Sequence, residues 1–195
     1  VTCVLTEGGA KFVTPLALAA LSENPVHTTL WDLKNEVEMG HIQLSRQADL
    51  IVVCPASANL LAKMAAGIAD DLATTLLLAT DKPVLAVPAM NVKMWQHEAT
   101  IRNIEQLKAD GVSVMQPDSG AMACGEFGPG RLPDPLAVWR RIAHLLDFDP
   151  GAEELPLLAY QSIDDDDEIP DSEDSGLGGL SSTLIARSKK RADPL

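Results

Sequence analysis

Strand-length apolar runs recur along this chain, and stretches with helical spacing separate them. VTCVLT (1–6) precedes a helical pattern at TPLALAALSE (14–23), and a short VHTTLW (26–31) precedes one at HIQLSRQA (41–48). DLIVVC (49–54) precedes NLLAKMAAGIADDLATTLLLAT (59–80), and KPVLAVPA (82–89) precedes HEATIRNIEQLKADG (97–111). VSVMQP (112–117) leads through a loop to a helix at PLAVWRRIAHLL (135–146). Short β-branched runs alternating with helices are the mark of strands covered on both faces. The pattern therefore predicts an α/β fold with a mainly parallel sheet and right-handed crossovers.

With 195 residues, 46% of them hydrophobic, the chain can bury a core of ordinary domain size. Its net charge of -13 is unevenly spread: residues 149–195 carry 4 Lys+Arg against 12 Asp+Glu, the first 148 carry 11 against 16. Few large apolar residues, the SIDDDDEIPDSED run and a Gly/Ser stretch predict that 149–195 is an acidic, disordered tail or linker behind a domain at 1–148. Binding to nucleic acid needs clustered Lys and Arg, and the only such cluster is the short RSKKR near the end, so no nucleic-acid partner is expected. No apolar run approaches the roughly 20 residues of a membrane span, and no signal-peptide layout opens the chain, which predicts a soluble, cytoplasmic protein without a membrane partner. Cys3, Cys54 and Cys124 are far apart, with neither a CxxC nor a Cys/His cluster, so neither a disulfide nor a metal site is expected. Cys3 and Cys54 sit in apolar runs, where cysteine acts as a small hydrophobe; Cys124 stands among glycines.

In parallel sheets, ligands bind beyond the carboxyl ends of the strands. The unusual residues cluster there: Thr6-Glu7-Gly8-Gly9, Pro55-Ala56-Ser57-Ala58-Asn59 and Pro88-Ala89-Met90-Asn91 each follow a strand. Hydroxyls, amides and helix N-termini in such places suit a phosphate or a polar heteroaromatic ring, although Ser57 and Asn59 can equally be helix caps. Asp70 and Asp71, adjacent on the chain, do not face each other and read as structural or as a cap for a following helix.

PASANLLAKMAAGIADDL, PAMNVKMW and ACGEFGPGR, in that order and with HIQLSRQAD upstream, resemble the flavin-containing cysteine decarboxylases, most closely those acting on phosphopantothenoylcysteine in coenzyme A biosynthesis. The resemblance spans about Val1 to Leu146. It implies a Rossmann-like, flavodoxin-type three-layer sandwich and FMN as cofactor. It also implies a lyase that oxidises the substrate's CH2–S group so that the resulting thioaldehyde can take up the electrons of the breaking C–C bond. The enethiolate left after CO2 loss is then protonated and reduced to phosphopantetheine. His41 becomes the candidate base, Asn91 the neutral grip on the substrate carboxylate and Cys124 the candidate acid. Thr6 is placed by the FMN phosphate or ribityl chain, Ser57, Ala58, Asn59 and Leu60 around the flavin, and Ala89 beside its ring. Ala121, Met122 and Ala123 are placed against the substrate in a glycine-rich flap anchored by Arg131, while Met94 and Trp95 pack to fix the turn. His27, His97 and His144 match no family motif and are expected to be structural or exposed.

Two departures from the family pattern accompany the match. Leu60 stands where members commonly carry threonine, which removes one hydroxyl contact. Members also place a strand, a GxTGxIA-like loop that cradles the FMN phosphate, and a helix ahead of the position of Val1, so a central strand and that loop are expected to be missing from these 195 residues. The family further implies a homotrimer or dodecamer with its active site between subunits, and a phosphopantothenate–cysteine ligase domain or protein as partner. A peptidyl-cysteine decarboxylase and a non-catalytic regulatory subunit of the same fold are the alternative functions.

Overall fold

The computed structural model describes residues 1–30 and 40–149; the expectation of a disordered tail lies outside these residues from 150 onward. The chain opens with β1 (Cys3–Val4), α1 (Pro15–Ser22) and β2 (Val26–His27). β1 and β2 run parallel, with Cys3 opposite Val26. α1 begins where the Thr14 hydroxyl accepts the Ala17 N–H and Pro15 takes a first-turn position that needs no N–H donor. Then come α2 (Gly40–Gln47) and β3 (Ile51–Ala56).

The helical spacing over 59–80 is realised as two helices, α3 (Ala58–Ala66) and α4 (Leu72–Leu78). Gly67 ends the first with a φ of 66°, a conformation that glycine adopts without steric cost. Asp71 starts the second through a reciprocal cap: its Oδ1 accepts the Thr74 N–H at 2.8 Å, and Thr74 Oγ1 accepts the Asp71 N–H at 3.1 Å. Asp70 instead receives a hydrogen bond from Lys63 Nζ at 2.7 Å, which holds its carboxyl below the usual range. α2 packs against α4.

β4 (Val84–Pro88), α5 (Val92–Trp95), α6 (Glu98–Ala109) and β5 (Ser113–Val114) complete the interior. β3, β4 and β5 form a parallel sheet in that order, separate from the β1–β2 pair. Side chains along β4 alternate between its two faces, as strand geometry requires. Ala86 joins Val53, Ala56, Leu61 of α3 and Leu107 of α6 in one cluster. Leu85 and Val87 pack on the other side with Val138, against which Ile142 and Leu145 also lie, all three on α7 (Pro135–Leu145). Helices thus cover both faces of the sheet, the three-layer arrangement expected. On β4 and its immediate neighbours, Ala56, Leu61, Leu85, Ala86, Val87 and Pro88 are fully buried.

One element departs from the sequence reading. The stretch expected as a loop forms an antiparallel hairpin, β6 (Asp118–Ala121) and β7 (Phe127–Arg131), with Gly120 opposite Gly128. Cys54 departs too: at Cys54–Pro55, a cis peptide, the β3–β4 register shifts, and Cys54 lies exposed rather than in the core.

Candidate active site

The strand order brings the carboxyl ends of β3 and β4 side by side. Ala56 pairs with Pro88, and the Ala89 N–H donates to the Ala56 carbonyl at 3.2 Å. Ser57, Ala58, Asn59 and Leu60 therefore leave one strand next to where Ala89, Met90 and Asn91 leave the other. Ser57 caps α3, its Oγ accepting the Leu60 N–H at 3.2 Å, and both Ser57 and the Asn59 amide are exposed. Thr6, at the carboxyl end of β1, accepts the Gly9 N–H on Oγ1 at 3.0 Å. This set is uncharged and holds both donors and acceptors, which fits the polar edge of a heteroaromatic ring.

The turn after β4 is clamped by the hairpin. The Met90 N–H donates to the Gly130 carbonyl at 2.9 Å. A Cβ at Gly130, whose φ is 144°, would collide with the Met90 carbonyl, and one at Gly128 would come within 3.0 Å of Val92 Cγ1. Gly130 thus allows a backbone approach that a side chain would block, while Gly128, with φ 154°, adopts a conformation that side chains rarely take. At the tip, the Met122 N–H donates to the Glu126 carbonyl at 2.8 Å and the Gly125 N–H to the Met122 carbonyl at 2.9 Å, closing a tight turn around Ala123 and Cys124. Ala121 and Ala123 are exposed, Met122 half-buried. Arg131 lies across Gly120, its Nη1 within 2.6 Å of where a Cβ there would stand.

These constraints set Asn91 against Cys124. Asn91 Oδ1 accepts the Lys93 N–H at 2.7 Å, capping α5, so its Nδ2 faces the hairpin. Nδ2 donates to Cys124 Sγ at 3.2 Å and to Glu126 Oε2 at 2.6 Å. Cys124 Sγ lies 3.6 Å from the same Oε2, and since a carboxylate only accepts, the thiol is the donor there. Asn91 is thus both the turn asparagine and half of a polar pair. Glu126 is the residue that sequence reasoning missed; the signal was a lone carboxylate two residues from Cys124 inside a glycine-rich stretch.

His41 stands at the start of α2. Among the described residues its buried Nδ1 meets no hydrogen-bond partner, an arrangement with a free-energy cost unless another group supplies one. Among the described residues, no hydrogen bond joins it to Asn91 or Cys124. His97 caps α6 by accepting the Ala99 N–H, in line with a structural role. Met94 does not pack as expected: it is 48% exposed, because in a one-turn helix Val92 takes the inward position under Gly128. A cavity of about 250 Å³ lined by Lys63, Thr74, Lys82 and Asp110 opens beside the amino ends of β4 and β5, at the opposite end of the strands from Asn91. Among the described residues, no group of His, Cys, Asp and Glu is arranged to hold a metal, and no helix is long and apolar enough to cross a membrane.

The sequence profile described as Flavoprotein matches residues 1–147. The chain belongs to that family. Among curated relatives, this flavoprotein is 47% identical to the coenzyme A biosynthesis bifunctional protein CoaBC of Escherichia coli (strain K12) over 138 residues, covering 71% of this chain and 34% of the relative. It thus spans about a third of the length of the curated proteins it matches. Among solved structures, it is similar to a PPC decarboxylase variant complexed with pantothenoylaminoethenethiol, with a TM-score of 0.62 and 30% identity over 74% of this chain and 81% of that one. It is also similar to the FMN-dependent cysteine decarboxylase SpaF, with a TM-score of 0.60 and 32% identity over 74% and 78% of the two chains. These likenesses agree with the three-layer fold and with the family resemblance read from PASAN, PAMN and ACGEFGPGR.

Proposed function

We propose that this flavoprotein is an FMN-dependent decarboxylase that converts phosphopantothenoylcysteine to phosphopantetheine. The observation that carries the reading is the 3.2 Å contact between Asn91 and Cys124, an uncharged carboxylate grip beside a proton donor. The names of the similar proteins, a coenzyme A biosynthesis protein and two decarboxylases of cysteine compounds, supply the substrate class.

Thr6, Ser57, Ala58, Asn59, Leu60 and Ala89 would hold FMN at the strand ends, where the uncharged donors and acceptors fit it. FMN, when bound, supplies the two-electron oxidation that makes loss of CO2 from a cysteine carboxylate feasible. Asn91 binds the carboxylate through Nδ2. A neutral amide orients that group without the full positive charge that would stabilise it against leaving. His41 accepts a proton from the substrate thiol or its neighbouring carbon, a task suited to imidazole near neutral pH. Cys124 donates a proton to the enethiolate. Ala121, Met122 and Ala123, on the hairpin tip, contact substrate and keep water from the reactive carbon.

The partners proposed are further copies of this chain, as a trimer or dodecamer, and a phosphopantothenate–cysteine ligase domain or protein. Self-assembly is supported by the apolar residues that α1 and the turn before it leave outward, with Leu16 80% and Leu21 84% exposed. The ligase partner is in keeping with the bifunctional name of the curated relatives. Cytoplasmic location is proposed on the same footing.

Incubation of the FMN-loaded chain with phosphopantothenoylcysteine or with a peptide ending in cysteine tests the reading. The first is expected to release CO2 and form phosphopantetheine, and the second to stay intact. The Cys124→Ser variant should still release CO2 while forming product about 100-fold more slowly, the share of a missing general acid. Turnover of the peptide alone would replace the substrate proposed here, and turnover of neither would refute a decarboxylase.

A further inference from the structure

The Asn91 amide has all its near-side bonding capacity taken by its own chain. Oδ1 is held by the Lys93 N–H, one Nδ2 hydrogen goes to Glu126 Oε2 and the other to Cys124 Sγ. The Glu126 contact, at 2.6 Å, is the shortest of the three and is charge-assisted. If Asn91 receives the substrate carboxylate, that carboxylate needs the N–H that Glu126 holds, and two carboxylates cannot share it without repulsion.

We infer that Glu126 is an internal stand-in for the substrate carboxylate: it competes for Asn91, and a ligand that brings its own carboxylate displaces it. The inference rests on the decarboxylase reading above. It gives the hairpin two linked settings. With Glu126 on Asn91, the Cys124 thiol donates to the same Oε2 and is withheld from any ligand. With Glu126 displaced, the thiol loses that acceptor and is free to direct its proton at the substrate. Once CO2 has left, the product has no carboxylate with which to compete, and Glu126 retakes Asn91. The glutamate therefore acts as a specificity residue that separates the acid from its decarboxylated product.

The test compares the FMN-loaded wild-type chain with Glu126→Ala and Glu126→Gln, titrated with two probes. One is phosphopantothenoylserine, which keeps the carboxylate but lacks the thiol to be oxidised; the other is phosphopantetheine. Loss of a charged competitor at a half-buried site should tighten binding of the serine acid about tenfold in Glu126→Ala, and less in Glu126→Gln, whose amide oxygen can still accept. Affinity for phosphopantetheine should stay unchanged. The Asn91 side-chain amide resonances should shift in both variants before any probe is added. Equal affinity of all three proteins for the serine acid would overturn the inference, as would an equal gain for both probes, which is the sign of a loosened hairpin. If Glu126→Ala does not fold, Glu126→Gln decides by the same split. Turnover of phosphopantothenoylcysteine by wild type with no such split defeats the Glu126 role alone. A wild-type chain that neither binds the serine acid nor turns over its cysteine counterpart defeats the decarboxylase reading, and the role of Glu126 with it.

Discussion

Asn91 and Cys124 meet in one contact but are held there by opposite means. Asn91 leaves the end of β4, whose last four residues are buried and whose two faces are packed by helices. Cys124 sits exposed at the tip of a two-stranded hairpin in which Gly120 and Gly130 are the buried positions. A two-stranded ribbon has too little apolar surface to stand alone. This one is fastened through a backbone hydrogen bond to Met90 and through glycines pressed against Met90 and Val92. One half of the pair is fixed by hydrophobic burial and the other by close backbone fit, so the two should fail in different ways.

The largest effect should come from emptying the buried side. Leu85→Ala removes a side chain with no exposed surface, and we expect a loss of about 2–5 kcal/mol in urea unfolding, shared by the whole sheet. A hairpin contact that weakened in step with the sheet before global unfolding would break the contrast. Gly130→Ala attacks the other half. The new methyl meets the Met90 carbonyl at a φ that side chains rarely adopt, and we expect about 1–3 kcal/mol of local strain. It should show as faster alkylation of Cys124 and weaker turnover, with amide protection at Leu85 and Val87 retained. Arg131→Ala should do least, within about 0.5 kcal/mol in global stability, because the residue is exposed; hydrogen exchange at Gly120, which its side chain covers, should nevertheless quicken.

The same contrast explains what could be read from the sequence. The run KPVLAV announces a strand covered on both faces because hydrophobicity itself is the signal, and β4 is buried as that run implies. Asp71 was legible as a cap because a carboxylate ahead of an apolar stretch has a local role. The hairpin was not legible: glycine and proline supply no alternation of apolar and polar residues, and Gly128 and Gly130 act through what they lack. Met94 was misread because its four-residue helix is too short for periodicity to say which side faces inward. Asn91 and Cys124 were singled out from the motifs, but their meeting depends on a contact across 33 positions of chain. Glu126 enters only through that contact. The helical pattern at 14–23 is realised as α1, yet none of that helix's residues is buried. Local signals specify a helix, whereas burial depends on what lies against it.

The absent side chains at positions 128 and 130 also bear on redesign. The hairpin and the turn after β4 lie some forty positions apart, yet their surfaces touch with no spare room. A flap taken from another protein, if it brought larger residues to these positions, would not seat on Met90 and Val92. Exchange of substrate preference by grafting should therefore succeed only when both segments travel as one cassette.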